Sequence, residues 1–425
     1  MKTEELYKIY LQNPTIQTDT RKLQKGDLFF ALKGPSFNGN AFASKALDAG
    51  ASYAIIDEKQ YALSENIILV DDVLATLQQL AKHHRQQFDI PFLAITGSNG
   101  KTTTKELIHA VLSTKYVTYT TEGNLNNHIG VPLTLLKIKK DAQMAVIEMG
   151  ANHLKEIESY CTYTMPTHGL ITNCGKAHLE GFGSEEGVRK GKGELFDYLR
   201  EHDGTVFLMK DYDYLENSAR GISKRYTYGT TNADVTGVVK ATDPFLVVHF
   251  EKGFQGDIYT KLVGGYNLSN VLASVAIGKY FSVPDEKIKT AIENYTPSNS
   301  RSQLLKKGSN TIILDAYNAN PSSMKVAIEN FAQVKGNNKI LVLGGMAEMG
   351  VNSLEEHLTI IEEIKKHSWK NVVLVGGDFM KVNHPFLQFS STAEAGLWLK
   401  SNAQNARLLI KGSRSMQMEK VLEYL

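Results

Sequence analysis

An apolar run, Ala94-Ile95-Thr96, that passes through Gly97-Ser98-Asn99-Gly100 into Lys101-Thr102-Thr103-Thr104 leaves this chain few folding options. It reads as a buried strand, a tight glycine turn and the start of a helix, the geometry in which successive backbone N–H groups converge on one anion. Lys101 can then reach the outer phosphates of a nucleotide, and Thr102 or Thr103 can offer a hydroxyl to Mg²⁺. Ile95 stands where a longer version of the loop carries its first glycine, so the loop is a short variant. A strand-to-helix glycine turn needs no ligand. It gives no reason, however, for Lys-Thr directly after the second glycine, and phosphate binding is the better reading.

The 425 residues exceed what one core supports and suit two or three domains. Net charge is close to balance at +2, so no global field argues for nucleic acid or a membrane surface. No run approaches a membrane span and the N-terminus has no apolar leader, which predicts a cytoplasmic protein acting on small partners. Cys161 and Cys174 are too few for a disulfide framework and read as two reduced, partly buried thiols.

Composition and punctuation divide the chain into three α/β segments. Residues 1–88 alternate short strands (27–32, 53–56) with helical stretches such as 42–50. The charged run Lys82-His83-His84-Arg85-Gln86-Gln87 ends a helix, and Pro91 precedes the phosphate-loop strand. Residues 89–298 hold apolar strands at 92–96, 144–149 and 169–172, as buried parallel strands require. They also hold a stretch, 206–264, whose texture predicts an antiparallel excursion, then a helix over 268–281 and another between Pro284 and Pro297. Residues 299–425 read as a doubly wound, Rossmann-like unit with strands at 311–315, 340–343, 372–375 and 407–410. Two of these run into Gly344-Gly345 and Gly376-Gly377, and the last into Lys411-Gly412-Ser413. Each glycine pair by itself is first of all a tight turn.

Four clusters accompany the loop. Glu148 ends a buried strand, where a carboxylate is costly unless it holds a metal or a hydrogen bond, and a Mg²⁺ ligand fits. Residues Asn173 to Gly183 present His178 in a glycine-rich loop. Arg189-Lys190-Gly191-Lys192-Gly193-Glu194 begins a helix and, from composition alone, reads as a solvated basic patch. Asn267, Asn270 and Arg301 flank the join to the last segment; the amides and arginine could hold a base and a phosphate, though helix capping explains Asn267 equally well.

Together these clusters, with Thr121 to Thr134, Glu148-Met149-Gly150-Ala151-Asn152-His153, Ala177 to Ser184 and Ala316 to Met324, resemble the Mur ligase family over essentially the whole length. These are the ATP-dependent, amide-forming ligases of cell-wall precursor synthesis. The resemblance implies a UDP-sugar-binding first domain (1–88), a central ATP-binding domain (89–298) and a Rossmann-like third domain that binds the incoming amine (299–425). The reaction it implies joins D-alanyl-D-alanine to UDP-N-acetylmuramoyl-tripeptide through an acyl phosphate, by a monomer with neither nucleic acid nor a membrane as partner.

The resemblance also assigns roles. Gly97, Ser98, Asn99, Gly100, Lys101, Thr102 and Thr103 would hold the ATP phosphates, with Thr102 and Glu148 on a first Mg²⁺. His178 would bind a second Mg²⁺, with Lys192, fourteen positions later, as a CO₂-derived carbamate. Arg301 would reach the γ-phosphate, Asp315 the ribose, and Asn267 or Asn270 the adenine. Lys101, Lys192, His178 and Arg301 are thus the catalytic candidates. Asp19, Thr20, Arg21 and Asn38 would contact the uridine nucleotide, Asn126, Asn127 and His128 the muramyl-peptide, and Asn318, Asn320 and Ser322 the dipeptide. The family pattern often has an acid where Gly345 stands, which leaves Gly345, Glu348 and His357 without assigned roles. The alternatives are another amino-acid-adding Mur or folylpolyglutamate-type ligase, or a switch protein that hydrolyses ATP without ligation.

Overall fold

The computed structural model describes residues 1–425. Three main sheets follow one another along the chain. The first has four parallel strands in the order Ile16–Gln17, Leu28–Phe30, Tyr53–Ile56, Ile67–Leu69. The second has nine, and the phosphate-loop strand Phe92–Thr96 lies between His168–Ile171 and Met144–Glu148, parallel to both. The third has six, in which Arg407–Lys411 separates Asn310–Asp315 from Lys339–Gly344. No helix is long and apolar enough to cross a membrane.

The predicted antiparallel excursion needs correction. Thr205–Met209 and Lys224–Gly229 extend the central sheet in parallel, and Val235–Ala241 joins them in parallel too. Only Val247–Lys252 and Gly256–Tyr259 run antiparallel at the edge. Alternating β-branched and aromatic residues report a half-covered sheet surface and do not distinguish strand direction. A similar shift applies to the charged helix. It starts at Glu185, capped by Ser184 Oγ on the Gly187 N–H (3.1 Å), and runs to Glu201. Lys192 and Glu194 point inward from it and are buried, so the run is not a solvated patch.

The first domain is welded to the second. Asp72 accepts from the Ala75 N–H at 2.6 Å and starts helix Val73–Arg85, whose Val73, Leu77, Leu80 and Ala81 recur at helical spacing. That face packs on helices Gly130–Leu136 and Glu156–Thr164 of the central domain. One continuous apolar core therefore runs from Leu6, Leu28 and Leu80 through Phe92, Val131 and Leu195 to Leu272. At the end of the same helix the Arg85 guanidinium is buried 3.6 Å over the Phe92 ring and donates to the carbonyls of Thr164 and Met165, both at 2.9 Å.

The third domain has its own two cores, one on each face of its sheet. Alternate residues divide between them: Ile313, Leu341, Leu374 and Leu409 face helices Pro321–Gln333 and Ser353–Lys365. Ile312, Ile340, Val373 and Leu408 face helix Thr392–Asn402. Strands covered on both sides must be apolar throughout, which is why they read as continuous hydrophobic runs. Val263 is the one buried central-domain residue in either core.

Candidate active site

The phosphate loop occupies the carboxyl end of its strand where neighbouring strands diverge, the place at which open parallel sheets bind ligands. Two of its glycines are obligatory. Gly97 has φ 144°, and a Cβ there would lie 2.0 Å from Thr172 Oγ1; Gly100 has φ 80°, and a Cβ would lie 2.7 Å from Asn270 Oδ1. The segment Thr172 to Gly175 braces the loop. Asn173 accepts from the N–H groups of Ser98 (through its carbonyl, 2.8 Å) and Asn99 (through Oδ1, 3.0 Å), while the Gly175 N–H donates to Ser98 Oγ at 3.0 Å. Lys101 Nζ folds back onto the carbonyls of Gly97 (2.5 Å) and Ser98 (3.2 Å), at the head of helix Lys101–Leu112. Burial, with Arg301 adding to it, lowers the pKa of Lys101, against the opposing pull of Glu148.

Glu148 is buried at the end of the adjacent strand. Its Oε1 accepts from Thr102 Oγ1 at 3.1 Å and Asn126 Nδ2 at 2.7 Å, while its Oε2 is buried without a partner. An orphaned carboxylate oxygen beside a phosphate loop fits a divalent cation held by one carboxylate, one hydroxyl and phosphate oxygens, the usual composition of a Mg²⁺–nucleotide site. No group of three or more His, Cys, Asp and Glu residues gathers at one point.

Across from the loop stands the third domain, and between them lies a cavity of about 770 Å³. It brings together Ser98 to Thr103, Asn126, Asn127, His128, Glu148, His178, Asn267, Asn270, Arg301, Asp315, Asn318, Asn320 and Ser322. Arg301 lies 3.6 Å over the Tyr317 ring with a buried, unpartnered Nε. Asp315 accepts from the Ser302 N–H at 3.1 Å and from Lys411 Nζ at 2.6 Å; the two residues end adjacent strands in register. Asn267 does not cap a helix with its side chain, as its Nδ2 donates to the Val263 carbonyl at 2.9 Å. Asn270 Nδ2 donates to Asn267 Oδ1 at 2.8 Å, and Thr104 Oγ1 donates to Asn270 Oδ1 at 3.0 Å, tying these amides to the loop helix.

Other candidates fall elsewhere. Asp19, Thr20, Arg21 and Asn38 do not border the cavity. Asp19 binds exposed Arg21 at 2.7 Å, which holds its carboxyl down at about 2, and Asn38 turns inward to Asn40 and Glu58. Lys192 is fully buried behind the cavity wall, with the Ala151 carbonyl at 2.8 Å as its hydrogen-bond partner and the Phe182 ring 5.0 Å away. No hydrogen bond links it to His178. Burial, reinforced by the charge of Lys101, brings its amine down to about 7. Both thiols are free and buried, and burial pushes Cys174 up to about 12.

Sequence reasoning passed over the contacts that hold the cavity shut, and with them Lys176 and Glu356. Asn320 Nδ2 donates to Asn99 Oδ1 at 2.8 Å, the Lys176 N–H to Ser322 Oγ at 2.9 Å, and Lys176 Nζ to buried Glu356 at 2.7 Å. His178 Nδ1 pairs with Glu348, whose carboxyl this hydrogen bond holds below the usual range. His357 is wholly buried and structural, accepting from the Met346 N–H at 3.0 Å. Gly345 is where the chain turns beneath Ser413, whose Oγ donates to its carbonyl at 2.7 Å, and a Cβ on it would lie 2.8 Å from the Gly377 Cα. Only a long-range map exposes these contacts, although Lys411 was visible as a cation at a strand end.

Three family models match in succession: the Mur ligase family catalytic domain over residues 15–85, the Mur ligase middle domain over 95–278 and the Mur ligase glutamate ligase domain over 300–414. The chain belongs to the Mur ligase family. This Mur ligase is 36% identical to the UDP-N-acetylmuramoyl-tripeptide–D-alanyl-D-alanine ligase of Bacillus subtilis, covering 96% of this chain and 92% of that one. It is 35% identical to the Escherichia coli ligase of the same name, covering 96% and 93%. Among solved structures, MurF from Acinetobacter baumannii superposes with a TM-score of 0.87 at 30% identity, covering 96% and 92%. MurF from Thermotoga maritima in complex with ADP superposes with a TM-score of 0.87 at 26% identity, covering 97% of each chain.

Proposed function

We propose that this Mur ligase joins D-alanyl-D-alanine to UDP-N-acetylmuramoyl-tripeptide at the expense of ATP, acting as a cytoplasmic monomer in peptidoglycan precursor synthesis. The observation that carries the reading is one cavity walled by a phosphate loop on one side and by Arg301, Asp315 and the Asn318 to Ser322 segment on the other. Residues 1–88 bind the uridine nucleotide, 89–298 bind ATP and 299–425 bind the dipeptide. The tripeptide carboxylate attacks the γ-phosphate, ADP leaves, and the dipeptide amine displaces phosphate from the acyl phosphate. Two anions must meet in the first step. Lys101, the loop N–H groups and Arg301 spread and neutralise that charge in a site from which closure excludes water. Asn126 holds Glu148 in place, and Asp315 is set by Lys411 to receive the ribose. Thr102 and Glu148 would hold Mg²⁺, which supplies further charge neutralisation at the phosphates.

The near-neutral, dry amine of Lys192 suits addition of CO₂, since only the free amine is nucleophilic, and the carbamate so formed would offer hard oxygen ligands to a second Mg²⁺. Labelled bicarbonate should give a carbamate carbon resonance that is missing in Lys192→Ala, and that variant should lose turnover that high bicarbonate does not restore. Full activity in Lys192→Ala rejects the role.

The deciding experiment is a mass-resolved ligation assay with ATP, Mg²⁺, D-alanyl-D-alanine and, separately, lysine- and diaminopimelate-containing tripeptides. A pentapeptide product with one of them is expected and identifies the third residue. ADP release without an amide product would overturn the reading in favour of a nucleotide-driven switch.

A further inference from the structure

Glu348 grips the central domain twice. Its carboxylate pairs with His178 Nδ1, and its carbonyl accepts from the Glu180 N–H at 3.2 Å. Both partners belong to the turn that opens the short helix Leu179–Phe182. Glu348 and His178 are each held at left-handed φ, 62° and 52°. Such backbone persists in non-glycine residues only where surroundings enforce it. Two residues on, a Cβ at Gly350 would lie 3.2 Å from the Glu180 Cα, so the third domain's loop seats directly on this turn.

We propose that Glu348 is a positioning residue: by closing onto His178 it fixes the tautomer and orientation of that ring, so that the central-domain half of the site is completed only when the third domain is shut. The inference rests on the ligase reading above. A carboxylate can only accept, so the paired Nδ1 carries the hydrogen, and in the neutral ring Nε2 keeps its lone pair. Nε2 makes no hydrogen bond, and His178 borders the cavity. Carboxylates commonly set the ring of a metal-binding or proton-accepting histidine in this way. Here the carboxylate comes from a different domain. Opening removes Glu348, leaves the ring free to exchange tautomers and rotate, and so ties a local orientation to a global motion. An acyl phosphate can then form only where water is already excluded.

The test uses full-length protein labelled with ¹⁵N-histidine, with ADP and no added metal, at pH 8. The His178 ring is assigned by the signals that vanish in His178→Gln. The Nδ1–H tautomer is expected in the wild type and in Glu348→Gln, whose amide oxygen still accepts, and its loss is expected in Glu348→Ala. In the ligation assay Glu348→Ala should lose roughly 10-fold or more in kcat with the KM for ATP within about 2-fold, and Glu348→Gln should recover most of it. An Nε2–H ring in the wild type, a ring unmoved by Glu348→Ala, or wild-type kcat in that variant each overturns the proposal. Absence of pentapeptide product from the wild type would sink the ligase reading but leave the ring measurement standing.

Discussion

The central domain meets its two neighbours in opposite ways. Toward the first domain the seam is mainly apolar, with Leu77, Leu80 and Ala81 joining the central core without a break and the buried hydrogen bonds of Arg85 at its end. Toward the third it is polar, made of Asn99–Asn320, Lys176–Glu356, His178–Glu348 and the Gly265 N–H on Asn330 Oδ1 at 2.9 Å. Apolar burial is non-directional and favours permanent contact, whereas water can replace each polar contact at small net cost. The first domain is thus a fixed shelf and the third a door.

The largest effect should come from breaking the shelf. Leu80→Ala should cost about 2–5 kcal/mol, and calorimetry should show residues 1–298 melting together at a lower midpoint while the third domain's transition stays in place. Separate melting of the first domain would show that the shared core does not couple the two. A somewhat smaller effect should follow acidification. His168, half-buried at the margin of the central core, packs against Phe207, Tyr280 and Phe281, and burial, aided by Lys224, lowers it to about 4. Between an unfolded value near 6.5 and that folded value the native state binds fewer protons. The stabilisation is therefore complete above pH 6.5 and is lost as pH falls toward 4, by at most about 3 kcal/mol. Denaturant titrations of His168→Phe should lose this slope, and an unchanged slope would assign the acid sensitivity to other groups.

The smallest effect on stability should come from the door. Lys176→Ala should change the stability of either unit by no more than about 1 kcal/mol, because opening rehydrates Glu356. X-ray scattering should nevertheless show a larger radius of gyration, and added salt should move the wild type in the same direction. Unchanged scattering would mean that the ion pair does not hold the domains together.

This contrast also explains what could be read from the chain. The phosphate loop was legible because its constraint is local: Gly97 and Gly100 are demanded by positive φ and by close neighbours, and Lys101 opens the helix that follows. Strands of the third domain were legible because both faces are covered. The direction of strands 205–229 was not, since pairing depends on partners far away in sequence. The burial of Lys192 was hidden among charged neighbours, for composition averages over a helix while packing selects one face. Glu348 was the least legible, as it acts on a residue 170 positions away, across a contact that closure creates.

Gly345 has a consequence for how such a chain can vary. Its Cα and that of Gly377 approach so closely that a Cβ at either would lie within 2.9 Å of the other's backbone. Gly377 in turn needs its φ of 58°. A side chain at 345 is admissible only after the turn at 376–377 has moved. Positions 345 and 377 are therefore sterically one unit: a substitution at either is felt first by the backbone of the other.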